Sequence, residues 1–160
     1  MRTDTEHPQL LLHMHKKLGV LLQPGGHVEL NENQWQAICH EVDEETGYDM
    51  SQLQLLQPRE RLRGLTDAQL HPIAVCQSTH DFDGDSSHRH TDTAYAFVTA
   101  QDPKGSPSDG ESTDLRWLTV HELDQLSSDE IFEDVREIGR FVLMTCLEYW
   151  EKVALDSYER

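Results

Sequence analysis

The sequence is poor in long apolar runs and in basic residues, and each shortage excludes a class of protein. It contains no run of about 18 apolar residues, so no segment has the length of a membrane-spanning helix. Lys and Arg total 13 against 30 Asp and Glu, which gives a net charge of −17. Proteins that bind nucleic-acid polymers neutralise phosphates with Lys and Arg, so we expect no such polymer as a partner.

Cysteine is also scarce. Cys39, Cys76 and Cys146 are widely spaced in apolar segments, which suits buried, reduced thiols better than disulfides or a zinc site. The first residues, MRTDTEHPQ, lack the charged and then apolar pattern of a secretory signal. We therefore expect a cytoplasmic localisation. The 160 residues suffice for one domain with a core, and we predict a single domain over residues 1–160, with residues 1–8 loose.

One predicted helix concentrates acid on a single side. Asn33 stands at its N-cap with Gln36 in the capping-box position, and Gly47 ends it. Its apolar residues recur at helical spacing and predict one buried stripe: Trp35, Ile38, Cys39 and Val42. Three glutamates at i, i+3 and i+4 share another side: Glu41, Glu44 and Glu45. Unpaired, these carboxylates would repel each other, whereas a divalent cation with oxygen ligands turns that repulsion into binding.

The stretch from Gly26 to Tyr48 resembles the Nudix hydrolase signature, G-x5-E-x7-R-E-U-x-E-E-x-G-U, where U is aliphatic or aromatic. The positions in register, with Asp43 as the single x between U and the paired glutamates, are Gly26, Glu32, Glu41, Val42, Glu44, Glu45, Gly47 and Tyr48. The Pro-Gly-Gly-His turn that precedes the stretch is also similar to one common in that family. A long pattern with fixed spacing makes a chance match improbable.

One position departs from the signature, because His40 stands where the family has arginine. In the family that arginine pairs with a carboxylate and helps to orient a metal-binding glutamate. Histidine has fewer donors and is mostly neutral near pH 7. His40 lies one turn before Glu44, so it can substitute for the arginine in part. This departure affects the catalytic activity that we expect, and not the resemblance to the family.

The resemblance spans most of the chain, from about Gln9 to the end, and implies a fold. It implies the α/β class, with a Nudix-like α/β/α sandwich and a mixed β-sheet between the signature helix and the C-terminal helix. Only eight residues precede the strand predicted at Gln9. Either the first N-terminal strand is lacking, the N-terminus supplies a stub, or the chain starts upstream of Met1. An open sheet edge would favour a homodimer.

The element boundaries come from local patterns. Strands are predicted at 9–15, 20–23, 49–57, 71–80, 93–100 and 115–118. Thr119 is expected to cap a short helix, with Glu122 in the capping-box position. A long C-terminal helix is expected to start at Ser128 or Asp129 and to carry an apolar stripe as far as Tyr149.

The resemblance also implies an activity, that of a MutT-like, Mg²⁺-dependent pyrophosphohydrolase, with Mn²⁺ as a possible replacement. The implied substrate is a small nucleoside diphosphate linked to another moiety. The expected metal ligands and catalytic residues are Glu41, Glu44 and Glu45, any of which can double as the general base. Gly25, Gly26 and Glu29 are expected to line the substrate site.

Residues outside the signature are candidates with two interpretations each. Arg59 belongs to the one basic cluster, residues 59–63, which could hold a phosphate or, as we favour, offset acid in a solvated loop. His90, with His80 and His88, could contact substrate at the border of the site or belong to a surface hairpin loop, the interpretation we favour. Glu111 or Asp114 could add a further carboxylate to the site, although each is more simply loop acid.

Three functional hypotheses therefore remain. The first is the metal-dependent hydrolase. The alternative is a degenerate Nudix domain that binds a nucleotide or a protein partner without hydrolysis, which His40 motivates and the intact glutamates oppose. A weaker third is a metal-buffering protein that uses the histidines and acids, which would bind zinc or calcium without need of a nucleotide.

Overall fold

The computed structural model describes residues 1–82 and 85–158. The strands are β1 (Leu10–Met14), β2 (Leu21–Leu22), β3 (Gln54–Gln57), β4 (Cys76–Phe82), β5 (Asp85–Ala94), β6 (Phe97–Val98), β7 (Leu115–Leu118) and β8 (Glu151–Ala154). The helices are α1 (Gln34–Thr46), α2 (Val120–Gln125) and α3 (Glu133–Phe141), and α3 continues through a π-helical turn (Val142–Cys146) into Leu147–Tyr149. Single 3-10 turns lie at Met50–Gln52 and Leu155–Ser157. Among the described residues, every helix is too short or too polar to span a bilayer.

The strands form three groups in the orders β2-β1-β7, β6-β3-β8 and β4-β5. Every strand pair within the described ranges is antiparallel, and parallel pairing is confined to the isolated bridges Arg2–Thr99 and Leu21–Ile131. A mixed sheet was predicted, and the parallel pairing that makes a sheet mixed is limited to these two single bridges.

Alternation along the strands sends side chains to two separate cores. Leu11 and Leu55 pack with the apolar stripe of α1. Their neighbours Leu12 and Leu56 pack on the other side, against α3 and the π-helical turn that follows it. The strands thus lie between α1 and the C-terminal helix, and the predicted α/β class and α/β/α sandwich are confirmed.

The limits of α1 match their prediction. The side chain of Asn33 accepts hydrogen bonds from the backbone N–H groups of Trp35 and Gln36, and the Gln36 side chain completes the capping box. Gly47 ends the helix with φ at 71°. The indole of Trp35, which is buried, packs against the rings of Tyr95, Phe97 and Tyr158. These contacts anchor α1 to the sheet and set the direction in which its acidic side faces.

The first three residues are ordered, so the prediction that residues 1–8 are loose is wrong for them. Thr3 donates its backbone N–H to the Thr99 carbonyl over 3.0 Å, and Thr99 donates to the Met1 carbonyl over 2.9 Å. Arg2 pairs with Asp102 at 2.6 Å, and the Met1 side chain is buried. Residues 1–3 thus form a short stub at this sheet edge. Local polarity concealed it because its partner lies about a hundred residues away.

Several boundaries differ from the predictions. The segment predicted as one strand at 49–57 begins with a 3-10 turn before β3, and β4 starts at Cys76 rather than at His71. Of the residues predicted as a histidine-rich loop, 81–82 end β4 and 85–92 belong to β5, while 83–84 lie outside the described residues. His80 pairs with His90 across the hairpin. Strand β5 is polar along most of its length, so alternation of apolar residues did not reveal it.

The C-terminal region also differs. The last long helix starts at Glu133, after the predicted caps Ser128 and Asp129, and its N-cap Phe132 makes no side-chain capping bond. Tyr149, predicted to be on the buried stripe, is exposed. Strand β8, which pairs with β3, was not predicted. The short α2, its Thr119 cap and β7 match their predictions.

Gly47 offers a test of the fold with a matched control. An added Cβ at Gly47 would lie 2.5 Å from the carbonyl carbon of Gly105, whereas at Gly19, which has a similar positive φ, it would meet nothing within 4 Å. Gly19→Ala should lower the free energy of unfolding by about 1–2 kcal/mol, through the left-handed conformation alone. Gly47→Ala should lose at least about 1 kcal/mol more because the backbones must separate. Urea unfolding measures both, and equal losses would contradict the close contact.

Candidate active site

The acidic side of α1 opens into a cleft of about 550 Å³. Its other wall is the turn that leads into the helix. The lining residues are Gly25, Gly26, His27, Glu29, Glu32, His40, Glu41, Glu44 and Glu45. Six of the predicted site residues are therefore brought together: Gly25, Gly26, Glu29, Glu41, Glu44 and Glu45.

Glu45 is the most enclosed carboxylate of the cleft, with 6% of its surface exposed. The backbone N–H of Gly25 donates to its Oε2 over 2.7 Å. Its other oxygen, Oε1, lies 3.6 Å from Nδ1 of His13. Burial raises the pKa of Glu45 to about 7, the hydrogen bond from Gly25 opposes that rise, and the negative charges nearby add to it. The carboxylate is thus held without a compensating positive charge.

Glu41 lies against the turn. A Cβ placed on Gly26 would sit 1.9 Å from Oε1 of Glu41, so only glycine leaves room for this carboxylate. Burial raises the pKa of Glu41, and the charges of Glu44, Glu111 and Glu32 raise it further. Gly26 therefore has a specific steric role in the site, which its place in the signature did not by itself explain.

His40 pairs with Glu32, with 2.8 Å between Nδ1 and Oε2. The other oxygen of Glu32 accepts the backbone N–H of Glu29 over 3.0 Å. The carboxylate pairing that the resemblance assigns to the family's arginine is thus present with histidine. The His40 ring is 69% exposed, whereas the Glu32 side chain is 11% exposed. The pair ties the start of the signature to α1.

His90 comes to the edge of this cleft. Its ring lies 5.5 Å from that of His27, a lining residue, and also contacts the rings of His80 and His88. The β4–β5 hairpin therefore borders the site, as one of the two interpretations of this segment required. Strand register across the hairpin, which the sequence did not reveal, brings these rings together.

Arg59 is not brought to the carboxylates. Its Nε donates to the backbone carbonyl of Tyr149 over 3.2 Å. Arg61 and Arg63 both pair with Glu151 at the start of β8. Arg61 and Arg63 therefore offset acid, as the favoured interpretation expected, but this acid lies on a distant strand and the Arg61 side chain is only 5% exposed, unlike a residue of a solvated loop.

Two residues join the site from outside the signature. Glu111 acts electrostatically on Glu41 and Glu45, raising the pKa of each. Asp114, the other residue considered as an extra carboxylate, is paired with Arg116 at 2.9 Å.

His13 was missed by the sequence analysis, although a histidine at a core-facing position of an apolar strand was a usable signal. Burial lowers the pKa of His13, so its imidazole is neutral at pH 7.

The donor set suits a hard divalent cation. Glu41, Glu44 and Glu45 offer carboxylate oxygens, the ligands that Mg²⁺ and Mn²⁺ prefer. Burial and the neighbouring carboxylates disfavour the charged forms of Glu41 and Glu45 and so raise their pKa values. A bound cation would offset both effects. Across residues 1–82 and 85–158, no three His, Cys, Asp or Glu side chains already surround one point, so the glutamates would have to turn toward a shared ion.

Comparison with known proteins gives consistent results. A sequence model of the NUDIX domain matches residues 1–138. No match was found among curated proteins. A NUDIX-family hydrolase from Clostridium perfringens has 27% identity, a TM-score of 0.65, and coverage of 89% of this chain and 90% of that one.

More distant structures share the fold. A C. elegans Ap4A hydrolase binary complex has 16% identity and a TM-score of 0.61, with 87% of each chain covered. A bifunctional NMN adenylyltransferase/ADP ribose pyrophosphatase from Francisella tularensis, solved with AMP and a Mn ion, has 22% identity and a TM-score of 0.55 over 91% of this chain and 40% of that one. The signature, the sandwich and the domain match over residues 1–138 together establish that the chain belongs to the Nudix family.

Proposed function

We propose that this protein is a metal-dependent hydrolase that cleaves a phosphoanhydride bond in a nucleoside diphosphate linked to another moiety. The observation that carries the proposal is the convergence of Glu41, Glu44 and Glu45 on one cleft beside the Gly25-Gly26 backbone. Similar structures include a named Ap4A hydrolase and a named ADP ribose pyrophosphatase, which supports a substrate of this class.

The residues of the cleft would share the work. Mg²⁺ or Mn²⁺ held by Glu41, Glu44 and Glu45 would supply neutralisation of phosphate charge and acidification of a water molecule. The Gly25 N–H keeps Glu45 oriented, and the missing side chain at Gly26 leaves room for the Glu41 carboxylate beside the turn. A glutamate of the cluster would accept the proton of the attacking water or orient the group that does.

The surroundings suit a small substrate. Glu29 and the His27–His90 contact lie at the border of the cleft, where they would meet the parts of the substrate beyond the phosphates. A net charge of −17 disfavours a nucleic-acid polymer but not a nucleotide bridged by a cation. We extend the proposal to a cytoplasmic localisation on the same sequence grounds.

A homodimer stays a prediction. It was motivated by an open sheet edge, and the stub at residues 1–3 pairs with Thr99 beside β6. This pairing covers part of the sheet edge, which weakens the argument that an open edge favours a dimer. Light scattering of the purified protein would decide the matter.

The second candidate is nucleotide or partner binding without hydrolysis. His40 favours it, since a largely exposed histidine pairs with Glu32 less firmly than an arginine fork would. The complete set of glutamates favours hydrolysis. Turnover therefore separates the two candidates.

The first functional prediction concerns turnover across a substrate panel. Nucleoside triphosphates, nucleotide sugars, dinucleoside polyphosphates and ADP-ribose are incubated with Mg²⁺ or Mn²⁺, and phosphate and nucleotide release are measured. We expect metal-dependent release from at least one class. Glu45→Gln should lower kcat/KM by about 100-fold or more, since it removes a charged ligand.

Asp43→Asn is the matched control for that experiment. Asp43 lies on the same helix but is exposed and outside the lining of the cleft, so the same change from carboxylate to amide should leave turnover unchanged. No release from any substrate, together with retained nucleotide binding, would favour the second candidate. Equal losses in the two variants would show an effect on the helix rather than on the site.

Replacing His40 tests the departure from the family signature. His40→Arg should strengthen the link to Glu32, because guanidinium is always charged and offers a fork of donors. We expect a higher kcat/KM or a tighter apparent affinity for Mg²⁺, by roughly 3–10-fold, a net gain of about 1 kcal/mol. Assays at several Mg²⁺ concentrations measure both. Unchanged values would show that His40 already performs this role.

The pKa of Glu45 predicts how stability depends on pH without metal. Its pKa is raised from 4.5 when unfolded to about 7 when folded, so its contribution is present below pH 4.5 and is lost as the pH rises through 7. Glu45→Gln should therefore have a free energy of unfolding about 1–3 kcal/mol higher than wild type at pH 8, and a clearly smaller advantage at pH 5. Urea unfolding in EDTA at both values tests this. An advantage that is equal at both pH values would contradict the assigned shift.

A further inference from the structure

His13 occupies a position that the strand pattern assigns to an apolar residue. On β1 it shares a face with Leu11, which packs with α1, and its partners across the neighbouring strands are Leu22 and Leu115. Only 3% of its surface is exposed. A leucine would fill such a site without burying a polar ring, so packing alone does not explain a histidine here.

Oε1 of Glu45 lies 3.6 Å from His13 Nδ1. Nδ1 is buried and makes no hydrogen bond within the part of the chain that the structure describes. The separation exceeds a hydrogen bond by about 0.5 Å. A small rotation of either side chain closes it, and a buried donor left without an acceptor would favour that rotation.

We propose that His13 is a positioning residue, which donates its Nδ1–H to Oε1 of Glu45 and holds that carboxylate toward the cleft. This inference rests on the proposed role of Glu45 as a metal ligand. With Gly25 donating to Oε2, each oxygen of Glu45 would have one neutral donor. The remaining lone pairs would then be directed for a cation, and the side chain would lose little freedom when one binds.

Three substitutions separate positioning from packing. In His13→Asn the amide nitrogen takes the place of Nδ1, in His13→Gln it takes the place of Nε2, and His13→Leu supplies only apolar volume. The measured quantities are the Mn²⁺ affinity by calorimetry and the urea midpoint of each variant. We expect Leu and Gln to weaken Mn²⁺ binding about 10-fold and Asn to stay within about 3-fold of wild type.

A packing role predicts a different order. Leu would then be at least as good as Asn in both measurements, and any loss of Mn²⁺ affinity would follow the loss of stability. Wild-type affinity in His13→Leu, or a loss in Asn equal to that in Leu, overturns the proposal. Weak binding in a stable His13→Leu supports it.

Two controls distinguish failure of this inference from failure of the proposed function. If Glu45→Gln binds Mn²⁺ as tightly as wild type, the metal site itself is wrong. The ring tautomer of His13 is then still decided without metal, by ¹⁵N NMR of the wild-type imidazole, with His13→Asn to assign the signals. A proton on Nδ1 supports the donor role, and a proton on Nε2 alone overturns it.

Discussion

The site depends on one unfavourable contact, the burial of the Glu45 carboxylate between α1, the Gly25 turn and β1 without a positive charge beside it. Burial raises its pKa, and repulsion from the other acids raises it further. Only a well-anchored helix can hold a carboxylate in such a place. Trp35 supplies that anchor from the apolar side of α1, through contacts with three aromatic rings. Packing of the apolar side of the helix therefore holds the carboxylates close together despite their burial and mutual repulsion. A bound cation would reduce that repulsion.

The two glycines beside the cleft have separate physical roles. Gly25 contributes its backbone N–H to Glu45, and Gly26 leaves space for Glu41 to approach the chain. A side chain at the second position would displace a carboxylate rather than merely narrow the cleft. The turn and the helix are thus held together by these contacts. The pairing of His40 with Glu32 adds a further link between α1 and the segment that precedes it.

The structure divides the histidines into different environments. His13 is buried beside Glu45, His40 is exposed and contacts the Glu32 carboxylate, and His90 packs on His27 at the rim. Histidine therefore occurs in three different environments around the same cleft. Specificity for the part of the substrate beyond the phosphates would arise from the rim, since the hairpin that carries His90 lies outside the signature.

Local sequence determined α1, its caps, its acidic side and the family, because spacing along a helix and capping chemistry depend on residues a few positions apart. It also predicted β7 and α2 correctly. Tertiary structure alone decided the placement of His13 and Glu111 near Glu45, the distance of Arg59 from the carboxylates, and the pairing of residues 1–3 and β8 with distant strands. These contacts join positions far apart in the sequence, so they cannot be read from local spacing. Strand β4 was predicted in part, whereas most of β5 was missed, since this polar strand is specified by its pairing with β4 rather than by an apolar face.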